Sequence, residues 1–245
     1  MPSWNIHTAH VERLLAERQP QELGIADANA FLFGNYVPDI YLGFMVPDTT
    51  FKIDYCLTHL AEVNMIPVPN ADKFWNDYIC RRRSKSPTGV SLVLGAWAHL
   101  ATDQLYNCRF RALRQTRTMP EGDELRTSKQ ADFDLFGRSL GASSRVQITD
   151  ELLEAAMAFR PYSVLPDDVA RTVDVADRIV REAAELPDDG MYRLLDADWL
   201  TETFNECSER LAAWMSSWQK LEANEVKPTA DNVREEAGLP ALRAE

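Results

Sequence analysis

The stretch VSLVLGAWAHLATDQL, residues 90–105, decides the fold. Wound as a helix it is apolar on nearly every side, whereas a surface helix carries a single apolar stripe. It is therefore read as the core of a central bundle helix running from Gly89 to about Arg114, with Thr88 as its cap. Its two ionisable residues, His99 and Asp103, stand four positions apart, and so share one face. Alone, that spacing fits a buried His–Asp hydrogen bond or a surface ion pair more readily than a metal site. The setting shifts the balance, because an aspartate inside an apolar helix is costly to bury unless a cation or a strong donor compensates it.

Outward from this helix, apolar residues recur at three- and four-residue steps, glycine is scarce at 10 residues, and no alternating strand pattern competes. The chain reads as an all-α, multi-helix bundle. Helices are expected from near Thr8 to Pro20, over residues 21–33, 54–62 and 121–140, and from Asn70 through Phe74, Trp75, Tyr78 and Ile79. Three more are expected over residues 150–159, 167–186 and 196–221, and residues 34–50 read as an ordered irregular loop. One domain is assigned to residues 1–225. Residues 226–245, VKPTADNVREEAGLPALRAE, lose aromatics and gain proline and charge, and are expected as a flexible tail or a partner-contact segment.

The formal charge of −12 disfavours long contact with duplex nucleic acid or an anionic membrane. Cys56, Cys80, Cys108 and Cys207 form neither a CxxC pair nor a regular framework, which fits a reduced, cytoplasmic setting. The opening residues lack the order of a secretion signal, and residues 90–100 are too few to cross a bilayer. RRRSK, residues 81–85, reads as a solvated helix end, with a phosphate-steering patch as the alternative.

All four histidines, His7, His10, His59 and His99, fall within the first 103 residues. Asp39 follows Pro38 in a loop that can aim a carboxylate inward, and His59 lies on a short helix beside Leu57 and Leu60. A solvated turn aspartate and a satisfied core histidine are the plainer readings of these two. Mixed histidine and carboxylate ligands suit zinc, with manganese or iron(II) as alternatives. Two histidines and two aspartates would leave room for a water of lowered pKa, which points to hydrolysis. Tyr36, Tyr41, Trp97 and Tyr106 lie near these residues in sequence, as pocket or core.

The opening MPSWNIHTAHVERLL, FLFGNYVPDI, the THL triplet and LGAWAHLATDQLYN resemble the successive motifs of the zinc-dependent phospholipase C family. They are similar, more distantly, to those of the fungal zinc-dependent single-strand nucleases. The resemblance implies an all-helical fold of the phospholipase C/nuclease type. It also implies a metal site of Asp39, His59, His99 and Asp103, with His7 and a shared Asp103 beginning a second, and hence one or two zinc ions. His10 is expected behind His7 rather than as a ligand.

Two features depart from the family. Trp4 is internal, so packing is its expected role, and no histidine follows His99 to build a third metal site. Asp132 and Asp134 in ADFDLFG are candidates to complete the second site or to orient a catalytic water. They cannot share a helix face, and Asp132 is favoured as the inward one. The function implied is metal-dependent hydrolysis of a phosphoric ester by a metal-bound water, on a small phosphorylated or phospholipid-like substrate. The alternatives are a non-catalytic metal-binding helical protein and, less favoured by the charge, action on single-stranded nucleic acid.

Overall fold

The computed structural model describes residues 2–81, 86–185 and 190–242. Among them the chain is all-helical, with no strand. The helices are α1 (Trp4–Glu17), α2 (Ala28–Gly34), α3 (Tyr55–Thr58), α4 (Ala71–Phe74), α5 (Pro87–Thr116), α6 (Gly122–Ser139), α7 (Asp150–Met157), α8 (Pro166–Glu185), α9 (Ala197–Ala223) and α10 (Ala230–Glu236). None is long and apolar enough to cross a membrane.

The central helix α5 is capped by Ser86, whose hydroxyl accepts the Gly89 N–H, with Pro87 at the first helical position; Thr88 lies inside the helix. It is buried over most of its length to Phe110 and packs against α2, α4, α7 and α9. Its contact with α2 is backbone to backbone. A Cβ on Gly34 would collide with the Leu92 carbonyl oxygen, and one on Gly95 with that of Phe31. This crossing sets Asn35, just beyond α2, against the middle of α5, where His99 lies.

Four elements differ from expectation, and one is α3, where only Tyr55–Thr58 is helical of the stretch expected over residues 54–62. Helix α1 begins at Trp4, not Thr8, because Asn5, His7, Thr8 and His10 are buried although polar, so an apolar period cannot register the first turn. The helix expected over residues 21–33 breaks at Gly24, whose φ of 72° is left-handed, into a 3₁₀ turn and α2. The segment after Val226 is docked rather than frayed. Val233 of α10 is fully buried, Trp75 Nε1 donates to the Pro228 carbonyl at 2.8 Å, and Arg234 pairs with Asp72. Four tryptophans, Trp75, Trp97, Trp214 and Trp218, close this side of the core with edge-on and tilted contacts of 4.9–5.6 Å between ring centres.

Of the basic run at residues 81–85, Arg81 approaches Asp77 at 3.6 Å, and residues 82–85 lie outside the described ones. All four cysteines are free.

Candidate metal centre

Five polar side chains from four parts of the chain meet in the interior: His7 on α1, Asp39 in a 3₁₀ turn (Val37–Leu42), His59 at the end of α3, and His99 and Asp103 on α5. None is more than 1% exposed. The α5 pair is one turn apart, and His99 Nε2 lies 3.8 Å from Asp103 Oδ2.

The tautomers follow from the neighbours. His99 Nδ1 is 2.7 Å from the Asn35 carbonyl, which can only accept, so Nδ1 carries the proton and Nε2 the lone pair. The Thr58 hydroxyl lies 3.3 Å from the Tyr55 carbonyl and 2.8 Å from His59 Nδ1; when it donates to the carbonyl and accepts from the ring, the His59 lone pair is on Nε2 as well. The two Nε2 atoms face each other at 3.2 Å. With the proton on Nδ1 in both rings, two lone pairs meet there and repel unless a positive charge lies between.

Two carboxylates complete the set. His59 Nε2 is 3.5 Å from Asp39 Oδ1 and 3.6 Å from Asp103 Oδ2, and His99 Nε2 is 3.7 Å from Asp39 Oδ1. Metal–ligand bonds of about 2.0–2.1 Å in a tetrahedron place neighbouring ligand atoms about 3.3 Å apart. The His–His separation of 3.2 Å and the four His–Asp separations of 3.5–3.8 Å bracket that edge and lie mostly just above it. Asp39 Oδ1 is buried and has no hydrogen-bond donor, which a cation would remedy. The residues fit a divalent ion: Asp39, His59 and His99 form one set able to hold it, and His7, His99 and Asp103 an overlapping one.

His7 stands at the edge of this group. Its ring stacks on that of His99 at 4.0 Å, and its Nε2 lies 3.4 Å from Asp103 Oδ1 without hydrogen-bond geometry. Both its ring nitrogens and Asp103 Oδ1 lack partners. Asp103 thus turns Oδ2 to the first set and Oδ1 to His7, the disposition of a shared carboxylate. His10, one turn further along α1, points elsewhere: Nδ1 meets Ser208 Oγ at 2.8 Å and the ring stacks on Phe204.

The electrostatics agree with a cation-seeking site. Burial lowers the pKa of His7 to about 4, and it holds that of His59 well below its ordinary value, so both imidazoles are neutral. Burial also raises Asp39, against the pull of His99 and the Trp4 hydrogen bond. For Asp103 burial acts upward too, but His99 and His7 hold it below the ordinary carboxylate range.

The surroundings include groups the sequence did not reveal. Trp4, expected only to pack, stacks on Tyr36 at 4.7 Å and donates its indole N–H to Asp39 Oδ2 at 2.9 Å. An indole nitrogen has no lone pair to give a metal, so Trp4 orients the carboxylate instead. Tyr55 stacks on His59 at 3.9 Å and its hydroxyl donates to Asp103 Oδ2 at 3.4 Å. Its position four residues before His59 was the available signal.

Asp132 does turn inward, but not to the centre. It accepts the backbone N–H groups of Arg193, Leu194 and Leu195 at 2.7–2.9 Å and so pins the strap before α9. Three N–H groups thus hold this carboxylate, which is neither in the group around His99 nor on the cleft beside Asp39, the place expected of it. Asp134 instead lines a cleft of about 800 Å³ that also borders Trp4 and Asp39, and it accepts from Gln130 Nε2 at 3.0 Å. Of the five converging residues only Asp39 lines this cleft.

No family model matches the chain, and neither a curated protein nor a solved structure does.

Proposed function

We propose that this chain is a metal-dependent hydrolase of a phosphoric ester, with zinc as the preferred cation in a bundle of the phospholipase C/nuclease type. One observation carries the reading: the Nε2 atoms of His59 and His99 face each other at 3.2 Å between two buried carboxylates, and the Asn35 carbonyl leaves the His99 lone pair on that atom. Asp39, His59, His99 and Asp103 hold the ion, and His7 with the second oxygen of Asp103 begins a neighbouring site. The chain order of these ligands, the one the sequence resemblance implies, adds support.

A divalent cation in this set supplies Lewis acidity towards a phosphoryl oxygen and acidifies a coordinated water. The protein's own part is orientation. Asn35 and Thr58 fix the imidazoles, and Trp4 and Tyr55 fix the carboxylates. Substrate enters by the cleft at Asp39. Asp134, whose pKa is raised by burial, is assigned to orient the attacking water and take its proton.

The test is hydrolysis of bis(p-nitrophenyl) phosphate and p-nitrophenyl phosphorylcholine by protein of known metal content, with and without chelator. Turnover that chelator abolishes and zinc restores is expected. A fully loaded protein that turns over neither ester favours the second reading, a metal held for stability alone, for which the near-complete burial of the ligands speaks.

A further inference from the structure

Asp39 is held by more than its neighbour Trp4. Thr8 Oγ1 lies 2.8 Å from the Trp4 carbonyl oxygen and 2.7 Å from the Tyr36 hydroxyl. A carbonyl can only accept, so the one hydroxyl proton of Thr8 goes to Trp4 and the Tyr36 hydroxyl donates to Thr8. The Tyr36 carbonyl in turn accepts the Asp39 N–H at 3.1 Å. With the Trp4 indole N–H on Asp39 Oδ2 at 2.9 Å, the hydrogen bonds close a ring that runs from Asp39 through Trp4, Thr8 and Tyr36 back to Asp39.

The ring ties α1 to the turn that carries Asp39, and each of its four residues is 1% exposed. Low local polarity strengthens such a network and makes a gap in it costly. The indole of Trp4 rests on the ring of Tyr36, centres 4.7 Å apart and planes 28° apart, and Thr8 pins that phenol by its hydroxyl. The Tyr162 hydroxyl fixes the same turn by donating to the Val37 carbonyl at 3.0 Å. The result is that the two oxygens of Asp39 differ. Oδ2 is engaged by Trp4, whereas Oδ1 has no donor and lies 3.5 Å from His59 Nε2 and 3.7 Å from His99 Nε2. Asp39 thus offers a metal one oxygen, not two.

We propose that Thr8 and Tyr36 are positioning residues of the metal centre: through Trp4 they keep Asp39 a one-oxygen ligand, and so favour a four-coordinate ion, zinc, over manganese, which takes six oxygen-rich ligands. The proposal rests on the metal-binding reading of the centre and is independent of what the centre hydrolyses.

The experiment is competition of zinc and of manganese against a chromogenic chelator, for wild type, Thr8→Val, Thr8→Ser and Tyr36→Phe, with denaturant unfolding in chelator alongside. Thr8→Val keeps the shape and deletes the hydroxyl, and Thr8→Ser keeps the hydroxyl. Zinc binding about tenfold weaker in Thr8→Val and Tyr36→Phe, a smaller loss for manganese, and recovery towards wild type in Thr8→Ser are expected. Unchanged zinc affinity overturns the proposal. Equal losses for the two metals, or Thr8→Ser as weak as Thr8→Val, overturn it too, because they mark a packing role. The double variant Thr8→Val/Tyr36→Phe removes both partners of one bond, orphans no hydroxyl, and keeps the test intact if Thr8→Val fails to fold. Wild type that binds neither metal sinks the metal reading itself, whereas zinc bound equally by wild type and variants sinks the positioning role alone.

Discussion

Two sides of the same helix, α5, are both buried and are built on opposite terms. Towards α9 and the C-terminal segment, Trp97 meets Trp75 and Trp214, and apolar contact does the stabilising. Towards α1 and α3, His99 and Asp103 meet His7, Asp39 and His59, and several polar atoms have no partner. On the first side the polar atoms without a partner are the indole N–H groups of Trp97, Trp214 and Trp218, and no carboxylate or imidazole is among them. The second gathers buried carboxylates and imidazole nitrogens whose burial a cation would offset.

Removing the ion is the strongest way to break the comparison. Chelation should lower stability by more than about 5 kcal/mol, since buried carboxylates and lone pairs are then left uncompensated. Denaturant unfolding with and without chelator measures it, and no change in midpoint would count against the account. Trp97→Ala, on the other side, should cost about 3–5 kcal/mol through cavity formation while leaving metal content unchanged. Parallel loss of metal in that variant would show that the two sides are one unit.

Trp4→Phe probes the border between packing and charge. It keeps the ring against Tyr36 but deletes the N–H to Asp39, so metal affinity should fall about 10–100-fold with little loss of stability in chelator. Competition with a chromogenic chelator reads this, and unchanged affinity would return Trp4 to a packing role.

The smallest effect concerns pH and His10, which is buried, neutral and held by Ser208 and Tyr106 outside the metal set. Burial puts its pKa well below the 6.5 of an exposed histidine. The unfolded chain therefore binds the proton first. Stability is full above about pH 6.5 and falls as the pH drops below it, by about 1.4 kcal/mol per pH unit for one such group. Denaturant unfolding between pH 7 and 5 should show a shallower slope in His10→Gln, and an unchanged slope would exclude His10 as its source.

The helical fold and the α5 pair were legible because both depend on local rules: an apolar period, and the cost of an aspartate inside it. The bond from Trp4 to Asp39 spans 35 residues, and nothing in either segment's composition announces it. Asp132 was misread for a related reason. A carboxylate on an apolar helix face has the same pattern whether it meets a cation or three backbone N–H groups, and only the arrival of residues 193–195 decides. The start of α1 escaped because Asn5, His7 and Thr8 are buried beside Trp4 and Ile6, so no apolar stripe marks the first turns. Helix α10 was hidden by its charge: only Ala230 and Val233 of its seven residues are buried.

The central claim is that the lone pairs of His59 and His99 converge on a cation. Elemental analysis of the purified protein, with anomalous scattering at the zinc edge of its crystals, tests it most directly. The account predicts a peak between His59 Nε2, His99 Nε2, Asp39 Oδ1 and Asp103 Oδ2. A fully reconstituted protein with no metal there, and unchanged stability in His99→Ala, would contradict it.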